Sequence, residues 1–99
     1  MRLSRNEIEA IRSCARRAFG PDAVVRLFGS RVHDDLRGGD IDLHVEVGPE
    51  GRSDLRAELE FLSRLKGEIG EQRIDVIVRR RGDAPSAIDE IALDEGVVL

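Results

Sequence analysis

The chain has 99 residues, enough for a single small domain, residues 1–99, with one modest core. Apolar residues make up 40% and charged residues 36%, which excludes a disordered chain and favours a soluble globular one. A formal charge of -4, with no Trp or Tyr and only three Phe, argues against direct nucleic-acid binding, because a basic surface and base-stacking platforms are both missing.

Cys14 is the single cysteine, so an internal disulfide is excluded and a reducing compartment fits. No apolar run approaches membrane-spanning length and no signal-peptide pattern follows Met1. The expected location is cytoplasmic, with no membrane partner. Arg16-Arg17 and Arg79-Arg80-Arg81 are short basic clusters that read as solvated charge.

Ser4 and Glu7 form the pattern of a capping box. Ile8, Ile11, Ala15, Ala18 and Phe19 follow at helical spacing, and Gly20-Pro21 stops the run. A first helix is predicted over residues 5–19. Residues 23–28, with Val24, Val25 and Leu27, read as a buried strand that ends at Gly29-Ser30. A short helical turn is predicted over residues 30–36, before Gly38-Gly39 breaks the chain.

Residues 40–47 alternate cleanly. Ile41, Leu43, Val45 and Val47 face one way, and Asp40, Asp42, His44 and Glu46 the other. The polar face is expected to be open to solvent or a ligand. After a Gly48–Gly51 loop, Ser53 or Asp54 caps a second long helix whose face is traced by Leu55, Leu59, Leu62, Leu65, Lys66 and Ile69, and Gly70 is its natural stop. Residues 73–79 alternate again, with Ile74, Val76 and Val78 against Arg73, Asp75 and Ile77. Ser86 caps a last helix carrying Ile88, Ile91 and Ala92, and Val97 to Leu99 suit a short edge strand. The order α-β-turn-β-α-β-α-β predicts an α+β domain, a small mixed sheet with helices packed on one face.

The chemistry concentrates in two short stretches. Leu27-Phe28-Gly29-Ser30-Arg31 is followed, with nine residues between Ser30 and Asp40, by Asp40-Ile41-Asp42-Leu43. On a strand, Asp40 and Asp42 share one face, roughly 6–7 Å apart along the chain. Paired carboxylates suit Mg²⁺, which takes one or two of them plus substrate phosphates. A Gly-Ser turn offers N–H groups and a hydroxyl to those phosphates. Asp75 is an acid between Ile74 and Val76 on an apolar strand. It is either a surface residue paired with Arg73 or Arg79, or a third carboxylate of the same site. Beside Asp40 and Asp42 the second reading is preferred, as a two-metal arrangement.

Leu27, Phe28, Gly29, Ser30, Asp40, Ile41, Asp42, Leu43 and Asp75 together resemble the signature of the DNA polymerase β-type nucleotidyltransferase superfamily. The element order and the ending Asp94-Glu95-Gly96-Val97-Val98-Leu99 look like its smallest branch, the minimal nucleotidyltransferases or MNT-type antitoxins, over nearly the whole chain. The resemblance implies a polymerase β palm-like fold and two Mg²⁺ ions as cofactors. It implies that Asp40 and Asp42 ligate both metals, and that Asp75 ligates the catalytic one and helps deprotonate the acceptor. It gives Gly29 and Ser30 to the β- and γ-phosphates of ATP, with Arg31 adding charge. In that branch the partner is a HEPN-type RNase toxin, and AMP passes from ATP to a tyrosine hydroxyl of the toxin.

Two features depart from the family pattern. Gly39 stands where a Ser often precedes the Asp pair, and the loop 32–38 carries Asp34 and Asp35 where basic residues are usual. Acids near a triphosphate are electrostatically unhelpful unless they point away. His44, on the carboxylate face, either touches substrate or pairs with Glu46 or solvent. His33 reads as a loop residue, and one Cys with two His at this spacing does not match a structural zinc site. Two other functions compete with protein adenylylation. One is an antitoxin acting by binding alone, with Leu55, Leu59 and Leu62 partly at the interface, although core packing is the preferred use of that strip. The other is a transferase for a small-molecule hydroxyl, which usually needs an added acceptor domain.

Overall fold

The computed structural model describes residues 3–32 and 40–99. The expected elements are present in the expected order. They are α1 (Arg5–Phe19), β1 (Val24–Phe28), a 3₁₀ turn (Gly29–Val32), β2 (Ile41–Val47), α2 (Leu55–Ile69), β3 (Ile74–Arg80), α3 (Ala87–Glu95) and β4 (Val97–Val98). The 3₁₀ turn is the described part of the helical turn expected over 30–36. The rest of that turn, with His33, Gly39 and the loop acids, lies outside the described residues.

Local chemistry sets the helix ends. Ser4 Oγ accepts from the Glu7 N–H at 3.0 Å and Glu7 Oε1 accepts from the Ser4 N–H at 2.9 Å, closing the capping box of α1. Asp54, not Ser53, caps α2, its Oδ1 accepting from the Ala57 N–H at 3.1 Å. The Gly70 N–H donates to Lys66 O at 2.9 Å and ends α2.

The four strands form a mixed sheet in the order β3-β2-β1-β4. β1 is antiparallel to β2 and to β4, and β2 is parallel to β3. α2 connects the parallel pair, as a parallel crossover requires. The apolar face of β2, Ile41, Leu43, Val45 and Val47, is buried with Val25, Leu27 and Ile74 against α1 and α2. Phe19 of α1 meets Phe61 of α2 at the centre, with ring centroids 5.3 Å apart and tilted by 48°.

Two expectations are corrected by the packing. The buried face of α2 is Ala57, Phe61 and Leu65, with Leu62 and Ile69 at its margin. Leu55 and Leu59 are 67% and 57% exposed, so that end of the expected strip is not core. The polar face of β2 is also not open along its length. α1 and α2 cover one face of the sheet, but α3 lies across the other and buries His44 completely. Glu46, also buried, accepts from Arg26 on β1 and from Arg79 on β3. Only the Asp42 end of that face stays accessible.

Candidate active site

The strand register joins residues that are far apart in sequence. Phe28 at the end of β1 pairs with Asp42 on β2, and Asp42 pairs with Asp75 on β3. Adjacent strands lie about 4.8 Å apart, so the two carboxylates stand side by side on one face. Asp42 is half-buried and Asp75 exposed. Burial, then the charge of Asp75, then that of Asp40 push the Asp42 carboxyl above its usual value. The three acids therefore repel one another, and a cation between them would relieve that repulsion.

Gly29 begins the 3₁₀ turn directly beside Asp42. Its φ is +78°, and a Cβ there would sit 2.4 Å from Asp42 Oδ2 and 3.2 Å from Asp42 Cγ. Glycine is demanded twice, by backbone conformation and by contact with the carboxylate. Gly29 and Asp42 are thus packed against each other.

Asp40 precedes β2, and its Oδ2 lies 3.3 Å from Arg73 Nε. Arg73 is 79% exposed, and an ion pair this open is worth about 0–1 kcal/mol, so a divalent cation competes easily for Asp40. Of the two arginines expected as alternative partners for Asp75, Arg73 goes to Asp40 and Arg79 to Glu46. Among the described residues Asp75 has no ion-pair partner. Among the same residues, no three His, Cys, Asp or Glu side chains are arranged to enclose a metal ion. The donor chemistry, hard carboxylate oxygens on adjoining strands, fits Mg²⁺. Asp42 and Asp75 share one rung of the sheet, while Asp40 is paired with Arg73.

Arg31, in the turn after Gly29, donates through Nη2 to Gln72 Oε1 at 3.4 Å, and Gln72 Nε2 donates to Glu7 Oε2 at 2.9 Å. This chain ties the turn to the start of α1 and the approach to β3.

His44 neither pairs with Glu46 nor meets solvent. Its Nε2 lies 2.8 Å from Asp89 Oδ1 on α3, and its Nδ1 has no partner among the described residues. The carboxylate only accepts, so Nε2 carries the proton. Asp89 Oδ2 also accepts from the Ser86 N–H and hydroxyl, at 2.8 and 2.9 Å. Burial would raise the Asp89 carboxyl, but the bonds from Ser86 and His44 outweigh it and hold it below its usual value. One side chain thus caps α3 and anchors it to β2. Sequence reading identifies Ser86 as a cap and passes over Asp89; the Ser-x-x-Asp spacing is the available signal.

Among the described residues no helix is long and apolar enough to cross a membrane. Comparison with curated proteins and with solved structures yields no match. A family model described as "Nucleotidyltransferase domain" matches residues 8–99, which spans every element of the fold from the first turns of α1 to β4. Gly29 against Asp42, and Asp42 beside Asp75, all lie within the matched span. The chain belongs to the nucleotidyltransferase domain family.

Proposed function

We propose that this domain is a Mg²⁺-dependent protein adenylyltransferase, the antitoxin of a HEPN-type toxin, moving AMP from ATP to a tyrosine hydroxyl of that partner. The observation that carries the reading is the single rung Asp42–Asp75 with Gly29 packed against it. Gly29 and Ser30 bind the β- and γ-phosphates, and Arg31 adds positive charge at that end. Asp40, Asp42 and Asp75 hold the metal ions. Mg²⁺, when bound, neutralises the triphosphate and lowers the pKa of the attacking hydroxyl.

Asp75 is the exposed carboxylate, so it is the one an incoming acceptor reaches, and it takes the hydroxyl proton. The acceptor oxygen bonds to the α-phosphorus, and the bond to the bridging oxygen breaks and releases pyrophosphate. Asp42 is half-buried and held by the Gly29 turn, which fixes its direction. An exposed rim suits an acceptor carried by a macromolecule.

The test is co-purification with the product of an adjacent HEPN-type reading frame, then incubation with α-labelled ATP and Mg²⁺. The expected result is label on a toxin tyrosine, lost in Asp42→Ala with folding intact. Full labelling by Asp42→Ala overturns the catalytic reading. Full neutralisation of the toxin by an unlabelled Asp40→Ala/Asp42→Ala variant assigns the protein instead to inhibition by contact.

A further inference from the structure

We infer, resting on the nucleotidyl-transfer reading, that Ile88 and Ile91 of α3 form the wall against which the base of the bound nucleotide packs. α3 crosses the sheet along one rung. Asp89, near its start, bonds to His44 on β2, and a Cβ at Gly96, just past its end, would sit 3.2 Å from Arg26 Cβ on β1. Arg26 and His44 pair with each other. Side chains alternate along a strand, so the next rung on the same face is Phe28–Asp42–Asp75, about 6–7 Å away. α3 thus runs beside the carboxylates with one flank toward them. Phe28 marks how far its cover extends: it is 8% exposed yet lies outside the core under α1 and α2, and α3 is in contact with β1.

The hand of the fold decides which residues line that flank. β2 and β3 are parallel and joined by α2 on the far side of the sheet, and such crossovers are right-handed. Viewed from α3 with β2 pointing up, β3 then stands to the left and β1 to the right. α3 runs left to right, and Asp42 lies below it. At about 100° per residue, Asp89, Ala92 and Gly96 fall within about 60° of one another and face the sheet. A right-handed helix running this way turns successive residues from the sheet upward. Ile88, Ile91 and Glu95 therefore fall on the lower flank, toward Asp42, and Leu93 falls on the upper one.

Ile88 and Ile91 are 38% and 48% exposed and form an aliphatic step above the Asp42–Asp75 rung. Glu95, the third residue of the flank, is exposed and acidic, so it repels phosphate and leaves the flank to an uncharged group. With the β- and γ-phosphates at the Gly29 turn and the α-phosphorus beside Asp42, the nucleoside has two ways out of the site. It lies along α3, or it points away into water. The flat face of a base buries apolar area only on the first path. The chain has no Trp or Tyr to stack on that face, so the branched aliphatic side chains take this part.

Titration calorimetry of the chain in Mg²⁺, with ATP and separately with inorganic tripolyphosphate, tests this. Wild-type protein is expected to bind ATP more tightly than tripolyphosphate. Ile88→Ala/Ile91→Ala is expected to weaken ATP about tenfold, the low end of what a missing methylene costs in an apolar site, and to leave tripolyphosphate unchanged. Alanine is the strongest helix former, so α3 is expected to persist. Leu93→Ala, matched in exposure at 37% but on the other flank, is expected to change neither affinity. An unchanged ATP affinity in the folded double variant overturns the inference. So does an equal loss in Leu93→Ala, or a wild type that holds ATP no more tightly than tripolyphosphate. Each of these leaves the phosphate and carboxylate site standing, whereas a wild type that binds neither compound removes the nucleotidyl-transfer reading and the wall together. Should the double variant unfold by circular dichroism, Ile91→Ala alone, at the more exposed position, decides by the same two titrations.

Discussion

Asp42 and Asp75 occupy one rung of the parallel pair β2–β3, and the half-buried member of the two carries the raised carboxyl. Two like charges are held on neighbouring strands without a basic residue between them. A fold selected for stability alone would separate them or insert an arginine. Arg73 and Arg79 flank this rung on β3 and are both directed elsewhere.

Asp42→Asn should therefore stabilise the fold while removing activity. A folded-state carboxyl raised above its unfolded value favours folding below the unfolded pKa, and that advantage is lost as pH rises through the folded pKa. Removing the charge should raise Tm by a few degrees at neutral pH, and the gain should vanish below about pH 4, near the unfolded value. Nucleotidyl transfer should fall at least about a hundredfold, since even outer-shell partners of metal ligands cost about 10–100-fold. Thermal melts at acid and neutral pH, with a labelling assay, check both halves.

Gly29→Ala should cost roughly 1–3 kcal/mol through the left-handed backbone conformation, with a further cost from contact with Asp42 Oδ2. Asp42→Ala removes the atom that the new methyl group would meet. Chemical denaturation of the two single variants and the double variant should give non-additive costs, the double losing less than the sum. Additive losses would place the strain in the backbone alone.

Asp89→Ala should loosen α3. It removes a helix cap, worth about 0.5–2 kcal/mol, and leaves His44 buried without its acceptor, about 1–3 kcal/mol more. Wild-type protein should also lose stability as pH falls below about 3.8 toward the depressed Asp89 value, because a lowered folded-state carboxyl stabilises only above its unfolded pKa. Asp89→Asn should flatten that part of the acid-denaturation profile, measured by urea melts on both sides of that value.

Cys14 should resist alkylation in the native state. Burial, then the hydrogen bond to Glu68, pushes its thiol up to about 11, so little thiolate is present near neutrality. A maleimide or disulfide reagent should label it only on unfolding. Rapid native labelling would show that α1 separates from α2.

Features that depend on neighbours in sequence are legible without the fold. The Ser4–Glu7 box, the stop at Gly20 and the alternation from Ile41 to Val47 are local patterns with one stereochemical meaning each. The Gly29-Ser30 turn and the spacing to Asp40 and Asp42 likewise mark a candidate site, and the chain belongs to the nucleotidyltransferase domain family. α2 is harder to read. Leu55, Leu59, Leu62 and Ile69 form an apolar stripe, but Ala57, Phe61 and Leu65 form another on an adjoining face. Periodicity ranks both stripes alike, and only the position of the sheet decides which is buried.

Alternation along β2 assigned its side chains to their two faces, and motif spacing named the residues that could carry the chemistry. Tertiary structure alone decided what meets that face. Strand register placed Asp75 beside Asp42, α3 closed over His44, and Arg26 and Arg79 engaged Glu46, leaving the Asp42 end accessible. The physical reason is that alternation fixes direction within one strand, whereas pairing and cover are set by contacts between segments distant in the chain.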